Sequence, residues 1–251
     1  MATEHAIGID IGGTGIKGAV IDLATGELVT ERSKVRTPEG GRPADLLRAT
    51  VELLAKIDAM VAGPKLPLGV CFPAIVKRGR TLSAANISKE WIGLPAEELF
   101  EETLGRDIHF INDADAAGYA ESRFGAAAGV DGLVILTTLG TGIGSALIYD
   151  GVLVPNSELG HLEIDGHDAE SRAAYSARER EELTWEKWAK RLQRYYSHVE
   201  YIFSPDLFVV GGGVSKHHEE FLPLLDLKTP IVPAVHRNNA GILGSAALAI
   251  R

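Results

Sequence analysis

The chain has 251 residues, of which 45% are hydrophobic and 24% charged, and its formal net charge is −9. An acidic chain of this globular composition lacks the basic bias of general nucleic-acid and membrane binders, so neither is expected as a partner. A single cysteine, Cys71, excludes an internal disulfide and a thiol-rich metal site. No secretory leader opens the sequence, and no apolar run approaches the roughly 20 residues of a membrane-spanning helix. We therefore expect a cytoplasmic protein.

Apolar periodicity along the chain predicts alternating strands and helices. Predicted strands, in chain order, cover 6–11, 16–22, 26–35, 66–72, 107–112, 132–140, 142–151 and 206–213. Predicted helices cover 43–62, 115–128, 185–203 and 238–251, and Arg78–Gly79 is predicted to tip a short hairpin. Two strand–glycine turn–strand segments repeat one pattern, which predicts two α/β lobes, 1–111 and 112–239, around a cleft. The closing helix, residues 240–251, is expected to pack back on the first lobe.

Three glycine-rich turns each follow an apolar strand: "DIGGTGIKG" (10–18), "LGTGIGSA" (139–146) and "VVGGGVS" (209–215). Glycines let backbone N–H groups converge on phosphate oxygens, although a single turn of this kind is more simply a tight hairpin. None has the spacing of a Walker loop or of a dinucleotide fingerprint. Three such turns predict phosphate binding by Gly12, Gly13, Thr14, Gly15, Lys17, Gly140, Thr141, Gly142, Gly212, Gly213 and Lys216.

Asp10 ends the first strand directly before the first glycine turn. A lone carboxylate among phosphate-binding amides is suited to Mg²⁺, held through water. The alternative is that Asp10 caps the N–H groups of the turn itself.

These turns, together with "INDADAAG" (111–118) and "ELGH" (158–161), resemble the ROK-family sugar kinases. That family has a two-lobed actin-like ATPase (ribonuclease H-like) fold with a central cleft. From Ile7 onward the chain is similar to the actinobacterial polyphosphate glucokinase branch, through "PNSELGHLE", "FSPDLFVVGGGVSK" and "TPIVPAV". The resemblance implies phosphoryl transfer from polyphosphate to the 6-hydroxyl of glucose, assisted by Mg²⁺, in a homodimer.

Two acids follow the strand at 107–112. Asp113 stands where a carboxylate can take the proton of an acceptor hydroxyl, and the resemblance places the family's catalytic aspartate at this position. Asp113 is therefore the predicted general base, with Asn112 beside it as a sugar ligand. Asp115 is predicted to cap the following helix. The alternative is that Asp113 is a second capping acid.

Carboxylates, amides and imidazoles recognise sugar hydroxyls by pairing with their protons and lone pairs. Glu158 and His161 match the family's sugar-binding Glu-x-Gly-His. Asn86 and Glu170 are looser matches, which could equally be a turn residue and a solvated loop acid. Most relatives carry a Cys-x-Cys-Gly-x-x-Gly-Cys zinc cluster after this histidine, but no cysteine follows here. No structural zinc is therefore expected.

The phosphoryl donor stays open on motif grounds, because glycine turns hold phosphates whatever carries them. Polyphosphate needs a track of cations, which on a chain of charge −9 must be a local basic groove. Candidates, each otherwise a solvated surface charge, are Lys17, Lys77, Arg78, Arg80, Lys216, His217 and His218. The resemblance favours polyphosphate, with an ATP-dependent ROK glucokinase as the alternative. A non-catalytic sugar sensor is disfavoured, because related repressors carry a DNA-binding domain where only nine residues precede Asp10.

Overall fold

The computed structural model describes residues 4–250 and divides the chain into two compact units. The first unit runs to Ala116 and resumes at Asn239, and the second is Ala117–Asn238. The strands, in chain order, are β1 (His5–Ile11), β2 (Gly15–Asp22), β3 (Ser33–Arg36), β4 (Leu68–Phe72), β5 (Val76–Lys77), β6 (Arg80–Thr81), β7 (His109–Asn112), β8 (Leu133–Leu139), β9 (Ile143–Tyr149), β10 (Val152–Val154), β11 (Glu163–Ile164), β12 (His167–Asp168), β13 (Leu207–Gly211) and β14 (Ile231–Pro233).

The α-helices, in chain order, are α1 (Pro43–Asp58), α2 (Ala96–Leu104), α3 (Asp113–Phe124), α4 (Ala169–Ala173), α5 (Tyr175–Arg180), α6 (Trp185–Phe203) and α7 (Ala240–Leu248). Short 3-10 helices lie at Glu39–Gly41, Lys89–Trp91, Leu159–His161, Gly213–Glu220, Leu222–Leu224 and Arg237–Asn239. None of the described helices combines the length and the apolar character that crossing a bilayer requires.

The first unit is built on a mixed sheet in the order β3-β2-β1-β4-β7. Strands β1, β2 and β3 are antiparallel neighbours, whereas β1, β4 and β7 run parallel. The carboxyl ends of β1, β4 and β7 therefore meet at one edge of the sheet. The first glycine turn follows β1 at this edge, and Asp113 follows β7.

Helix α1 covers one face of this sheet. Its Leu46, Leu53 and Ile57 are fully buried in a core that also contains Ile7 and Ile9 of β1. This spacing of apolar residues is the helical pattern from which the sequence predicts the helix.

Helix α7 covers the opposite face, because successive residues of a strand point to opposite sides. A β-carbon at Gly8 or Gly69 would overlap the backbone of Ile242 or Ser245. The two glycines therefore let α7 lie directly on β1 and β4. Asp10 lies on the same face as Gly8, two residues further along β1.

The second unit repeats this plan with a sheet in the order β10-β9-β8-β13-β14. Strands β8, β9 and β10 are antiparallel neighbours, and β8, β13 and β14 run parallel. Helix α6 covers one face, where Trp188, Leu192 and Tyr196 are fully buried. The hydroxyl groups of Tyr196 and Thr137 share a 2.6 Å hydrogen bond. The apolar face of α6 is therefore core.

Several predicted elements are confirmed, and others differ. The helix at 185–203 coincides with α6, and Arg78 and Gly79 tip the β5–β6 hairpin with φ of 52° and 73°. The helix predicted at 43–62 ends at Asp58. The strand predicted at 26–35 is reduced to β3, which begins at Ser33 and ends at Arg36, and Leu28 forms only an isolated bridge with Ile21. The sequence does not predict α2, and the expected loop after Glu158 contains the β11–β12 hairpin and the start of α4.

Candidate active site

The first glycine turn joins β1 to β2. The N–H of Gly12 donates to the carbonyl of Gly15 at 3.1 Å, and the hydroxyl of Thr37 donates to the carbonyl of Gly12 at 2.5 Å. The amide of Gly12 therefore closes the turn. Gly13 and Thr14 are exposed at its tip. Thr37 is a supporting residue that the glycine pattern did not identify.

Asp10 precedes this turn and forms an ion pair with Lys17, whose Nζ lies 3.5 Å from Oδ2. Burial raises the pKa of Asp10, and Lys17 acts in the opposite direction. The Cys71 thiol lies 3.7 Å from Oδ1 of Asp10, and burial raises the thiol pKa well above its ordinary value. In the described part of the chain Asp10 thus pairs with side chains, and no hydrogen bond from a turn amide to its carboxylate is found.

Asn86 lies beside the first turn. A β-carbon at Gly13 would be 3.1 Å from the Cβ and from the carbonyl oxygen of Asn86. Asn86 has a φ of 60°, a left-handed conformation that asparagine tolerates better than most residues. A cavity of about 820 Å³ is lined by Gly13, Thr14, Arg36, Thr37, Pro38, Glu39, Gly40, Gly41, Asn86 and Ile87. The structure therefore places Asn86 and the tip of the first glycine turn in the lining of one cavity.

Asn112 caps helix α3, which corrects the prediction that Asp115 does so. The Oδ1 atom of Asn112 accepts from the N–H of Ala114 at 2.8 Å and of Asp115 at 3.0 Å. Its Nδ2 donates to the carbonyl of Ala74 at 2.9 Å. The helix begins two residues earlier than predicted, so Asp115 lies buried within its first turn. A capping residue must precede the free N–H groups, and Asn112 does.

Asp113 is the first residue of α3 and is partly exposed. Its Oδ1 accepts from the N–H of Ala114 at 2.9 Å. The charge of Asp113 contributes to the raised pKa of Cys71, so the two side chains are near each other in the first unit. The strand ends of β1, β4 and β7 thus bring Asp10, Cys71 and Asp113 to one edge of the sheet.

The second and third glycine turns come together in the second unit. The N–H of Gly140 donates to the carbonyl of Gly142 at 3.0 Å, and Ser176 of α5 holds the turn by donating its hydroxyl to the carbonyl of Thr141 at 2.6 Å. A β-carbon at Gly212 would overlap the backbone of Leu139, directly before Gly140. Gly213 and Lys216 follow on an exposed side of the 3-10 helix.

Glu158, His161 and Glu170 are close together in the second unit. Oε2 of Glu170 accepts from the N–H of Ile143 at 2.9 Å, and its carboxylate packs against Gly142 of the second turn. Burial raises the pKa of Glu158, with His161 opposing and Glu170 adding to the rise. Glu170 is therefore a fixed residue of this cluster and not a solvated loop acid.

Asp168 is a residue of this cluster that the sequence did not assign to the sugar site. Nδ1 of His161 donates to Oδ2 of Asp168 at 2.8 Å, and this hydrogen bond is the main cause of a raised His161 pKa. Such a bond fixes the orientation of the ring and directs Nε2 outward. The register of the β11–β12 hairpin, which the sequence did not predict, returns Asp168 to the vicinity of the "ELGH" turn.

The ligand atoms of His161, Asp168 and Glu170 all lie within 4.8 Å of one another. Three such groups could hold a metal ion. Here the imidazole and the Asp168 carboxylate are engaged with each other, and Glu170 accepts from the backbone. This arrangement suits hydroxyl recognition.

The profile of the ROK family matches residues 6–172, which is more than half of the chain. The chain belongs to the ROK family. Among ROK proteins, it is 45% identical to the polyphosphate glucokinase of Mycobacterium tuberculosis over 244 residues, which cover 97% of this chain and 90% of that protein. It is 42% identical to the polyphosphate glucokinase of Mycobacterium leprae, covering 97% of this chain and 74% of the relative.

Solved structures of similar proteins have the same fold as this chain. The inorganic polyphosphate/ATP-glucomannokinase of Arthrobacter sp. strain KM is 55% identical, with a TM-score of 0.92 and 98% of each chain covered. A ROK glucokinase of Streptomyces griseus, solved with glucose and AMPPNP, is 24% identical with a TM-score of 0.81, covering 97% of this chain and 98% of that one. The predicted α/β fold of the actin-like ATPase class is confirmed.

Proposed function

We propose that the protein is a polyphosphate-dependent glucokinase, which transfers a phosphoryl group from inorganic polyphosphate to the 6-hydroxyl of glucose. The observation that carries the proposal is the similarity, at 45% and 55% identity over nearly the whole chain, to two proteins that are both named for polyphosphate. The glycine turns and the cluster of sugar-recognising side chains support it.

Asp113 is the proposed general base. It opens a helix that Asn112 caps, so its backbone is held where β7 ends. In phosphoryl transfer the transition state is loose and the proton leaves late, so an ordinary carboxylate within about 2.6–3.2 Å of the hydroxyl suffices. Asp113 accepts the proton and orients the hydroxyl oxygen for attack on phosphorus.

Glucose recognition is assigned to polar side chains that pair with adjacent hydroxyls. Carboxylates accept from hydroxyl protons, and an imidazole or amide N–H donates to hydroxyl oxygens. His161 would offer Nε2, because its Nδ1 is engaged with Asp168. The proposed ligands are Asn86, Asn112, Asp113, Glu158, His161 and Glu170.

Phosphate binding is assigned to the three glycine turns, with Gly12 in a closing role. Asp10 is the proposed Mg²⁺ residue, acting through water. Mg²⁺ in kinases usually takes one or two protein carboxylates and fills its remaining positions with water and phosphate oxygens, and a single carboxylate beside a glycine turn fits this pattern. When bound, Mg²⁺ would neutralise charge on the transferred phosphates. Lys17, paired with Asp10, adds positive charge there.

ATP is the second candidate donor. The 55% identical glucomannokinase is named for both polyphosphate and ATP. The test is a coupled assay that follows glucose 6-phosphate with Mg²⁺ and either long-chain polyphosphate, ATP or no donor. We expect turnover with polyphosphate. Turnover with ATP alone would overturn the proposed donor but keep the kinase, and no turnover with either would overturn both.

An Asp113→Asn variant tests the base. We expect kcat to fall by about 10²–10⁴, because general-base catalysis of this kind contributes that factor. Glucose binding, measured by calorimetry, should persist because the amide keeps the shape and one acceptor of the carboxylate. Asp131→Asn, at an exposed acid, is the matched control and should keep wild-type kcat. A kcat near wild type in Asp113→Asn would contradict the assignment.

A homodimer is also proposed. Apolar side chains stand exposed on the β9–β10 hairpin, at Tyr149, Val152 and Val154, as does Tyr201 on α6 with 85% of its surface accessible. Contiguous exposed apolar side chains favour an interface. Light scattering coupled to size exclusion should give twice the chain mass, and a monomer mass would contradict the proposal.

A further inference from the structure

A row of cations crosses the first sheet beside the phosphate turn. Asp10 on β1 lies opposite Lys17 on β2, and Lys17 lies opposite Lys34 on β3. Two residues along, Gly15 on β2 lies opposite Arg36 on β3. Residues directly opposite on neighbouring strands put their side chains on the same face. Lys34 and Arg36, two apart on β3, therefore share the face that carries Asp10 and Lys17.

Lys34 reaches over the first glycine turn. A β-carbon at Gly15 would lie 2.6 Å from Cε and 3.5 Å from Nζ of Lys34. The end of the Lys34 side chain thus packs against Gly15, and its ammonium group lies beside the turn. Arg36 lines the cavity that contains Gly13 and Thr14. Both cations therefore adjoin the place where phosphate is expected.

This row, together with Arg32, is poorly neutralised, and we call the four cations Lys17, Arg32, Lys34 and Arg36 the basic strip. Lys17 pairs with Asp10, and Arg32 donates to the amide oxygen of Asn239 at 2.9 Å. Within the described residues no carboxylate lies within ion-pair distance of Lys34 or Arg36.

The neighbouring cations on α1, unlike Lys34 and Arg36 on β3, have carboxylate partners. A second groove of about 380 Å³ is lined by Lys34, Val35, Arg36, Pro38, Asp45, Arg48, Ala49, Glu52 and Lys56. There Arg48 pairs with Asp45 at 2.5 Å, and Lys56 pairs with Glu52 at 2.6 Å. The helix cations are neutralised within their own helix, whereas the two strand cations in the same groove are not.

Lys34 lies directly opposite Lys17 on β2, and like charges directly opposite in a sheet repel, so the strip costs stability. A bound polyanion would remove this cost. Because β3 is an edge strand, the basic strip leads from the glycine turn to the border of the sheet and into the second groove. Its length suits an anion that continues beyond the phosphates held in the turn.

Resting on the proposed function, we propose that Lys34 and Arg36 bind the part of a polyphosphate chain that extends past the glycine turn. They would make the enzyme prefer long chains and contribute little to ATP, whose phosphates end at an uncharged nucleoside. Lys34 and Arg36 lie outside the set of cations that the sequence alone suggests for this role.

The test uses the full-length protein with Lys34→Gln and Arg36→Gln combined. We expect KM for long-chain polyphosphate to rise about tenfold, with kcat at saturation and the KM values for glucose, ATP and inorganic triphosphate within about twofold of wild type. The slope of log KM against log salt should become shallower by about 1.5, since each phosphate contact contributes roughly 0.7–0.9. The matched control is Lys65→Gln combined with Lys190→Gln, two exposed lysines that are not part of the strip, which should leave all these values unchanged.

A thermal-shift readout separates loss of binding from loss of fold. Without ligand the double variant should have a Tm equal to or above wild type, because a repulsive pair is removed; long-chain polyphosphate should raise the wild-type Tm more than the variant's. An unchanged KM and salt slope in the variant would overturn the inference alone. Equal losses with ATP and triphosphate would also overturn it, because the residues would then serve the turn. A wild-type protein without any polyphosphate turnover would overturn the proposed function together with it.

Discussion

At the end of β7 two neighbouring polar side chains, Asn112 and Asp113, are held differently. Asn112 satisfies two free amides of α3 with one oxygen and ties the Ala74 loop with its nitrogen. Asp113, one residue later, is left partly exposed at the amino terminus of the helix, where a negative charge is favoured. Capping by Asn112 thus fixes the backbone of the proposed general base at the point where β7 ends.

An Asn112→Ala variant should be less stable than the wild type. It removes a helix cap and leaves the carbonyl of Ala74 without its donor, so we expect the free energy of unfolding to fall by about 2–3 kcal/mol. Urea unfolding followed by circular dichroism measures it. Asp113→Asn is the control, with an expected loss below about 0.5 kcal/mol. Equal losses in the two variants would show that Asp113, too, acts as a cap.

His161 should titrate above the ordinary histidine pKa of about 6.5, because the Asp168 carboxylate accepts from its ring. Since the folded-state pKa is raised, the stabilisation is fully present below about pH 6.5 and is lost as pH rises through the folded value. NMR titration of the ring protons measures the pKa in wild type and in Asp168→Asn, where it should drop. The stability difference between the two proteins should shrink from pH 6 to pH 9. An identical His161 pKa in both would refute the contact.

At the level of elements, buried strands were the most predictable part. The runs at β1, β4, β8 and β13 are apolar on both faces, so the local sequence is enough to predict that they are buried. Helix α6 was predictable because its apolar spacing is regular, and the structure adds that Thr184 caps it. Val51 of α1 and Ile202 of α6 fit the apolar spacing of their helices, yet their side chains are 40% and 48% exposed. Burial depends on whether another element packs against that side of the helix.

Other features could not be read from the sequence because they depend on distant partners. The role of Asn112 as cap depends on where β7 ends, within one or two residues. The pairing of His161 with Asp168 depends on the register of β11 and β12. The basic strip depends on the register that places Lys34 on β3 opposite Lys17 on β2, and the sequence of the segment 26–35 does not specify that register. Local patterns identify residue types, whereas register decides which of them meet.

The third glycine turn contains a matched pair of positions that tests the packing of the second unit. Gly212 has a φ of 81° and its added β-carbon would overlap the backbone of Leu139, whereas a β-carbon at Gly213 meets no other atom within 4 Å. We expect Gly212→Ala to lower the free energy of unfolding by about 3 kcal/mol, from left-handed strain and overpacking. Gly213→Ala should cost well under about 1 kcal/mol. Chemical denaturation of both variants measures this, and similar costs at the two positions would contradict the described packing.

At the scale of the whole molecule, the charge distribution presents an apparent conflict. A chain of net charge −9 repels a polyanion at long range, yet the proposed donor is one. The basic strip offers a local answer: four cations with Asp10 as their one ion-paired acid within the described residues. Long-range repulsion is screened beyond about 8–10 Å at physiological salt, whereas direct contacts with phosphates act within hydrogen-bonding distance.

The salt dependence of the wild-type enzyme should therefore follow the local contacts. If about three phosphates are neutralised, kcat/KM for long-chain polyphosphate should fall roughly 20- to 40-fold between roughly 50 and 200 mM KCl, because bound counterions are released on binding. The kcat/KM for glucose at saturating donor should change less than about twofold, since glucose is uncharged and serves as the internal control. If instead the net charge of the molecule governed the encounter, added salt would screen repulsion and polyphosphate use would improve. A rise in kcat/KM for polyphosphate with salt would therefore contradict the basic strip as the binding surface.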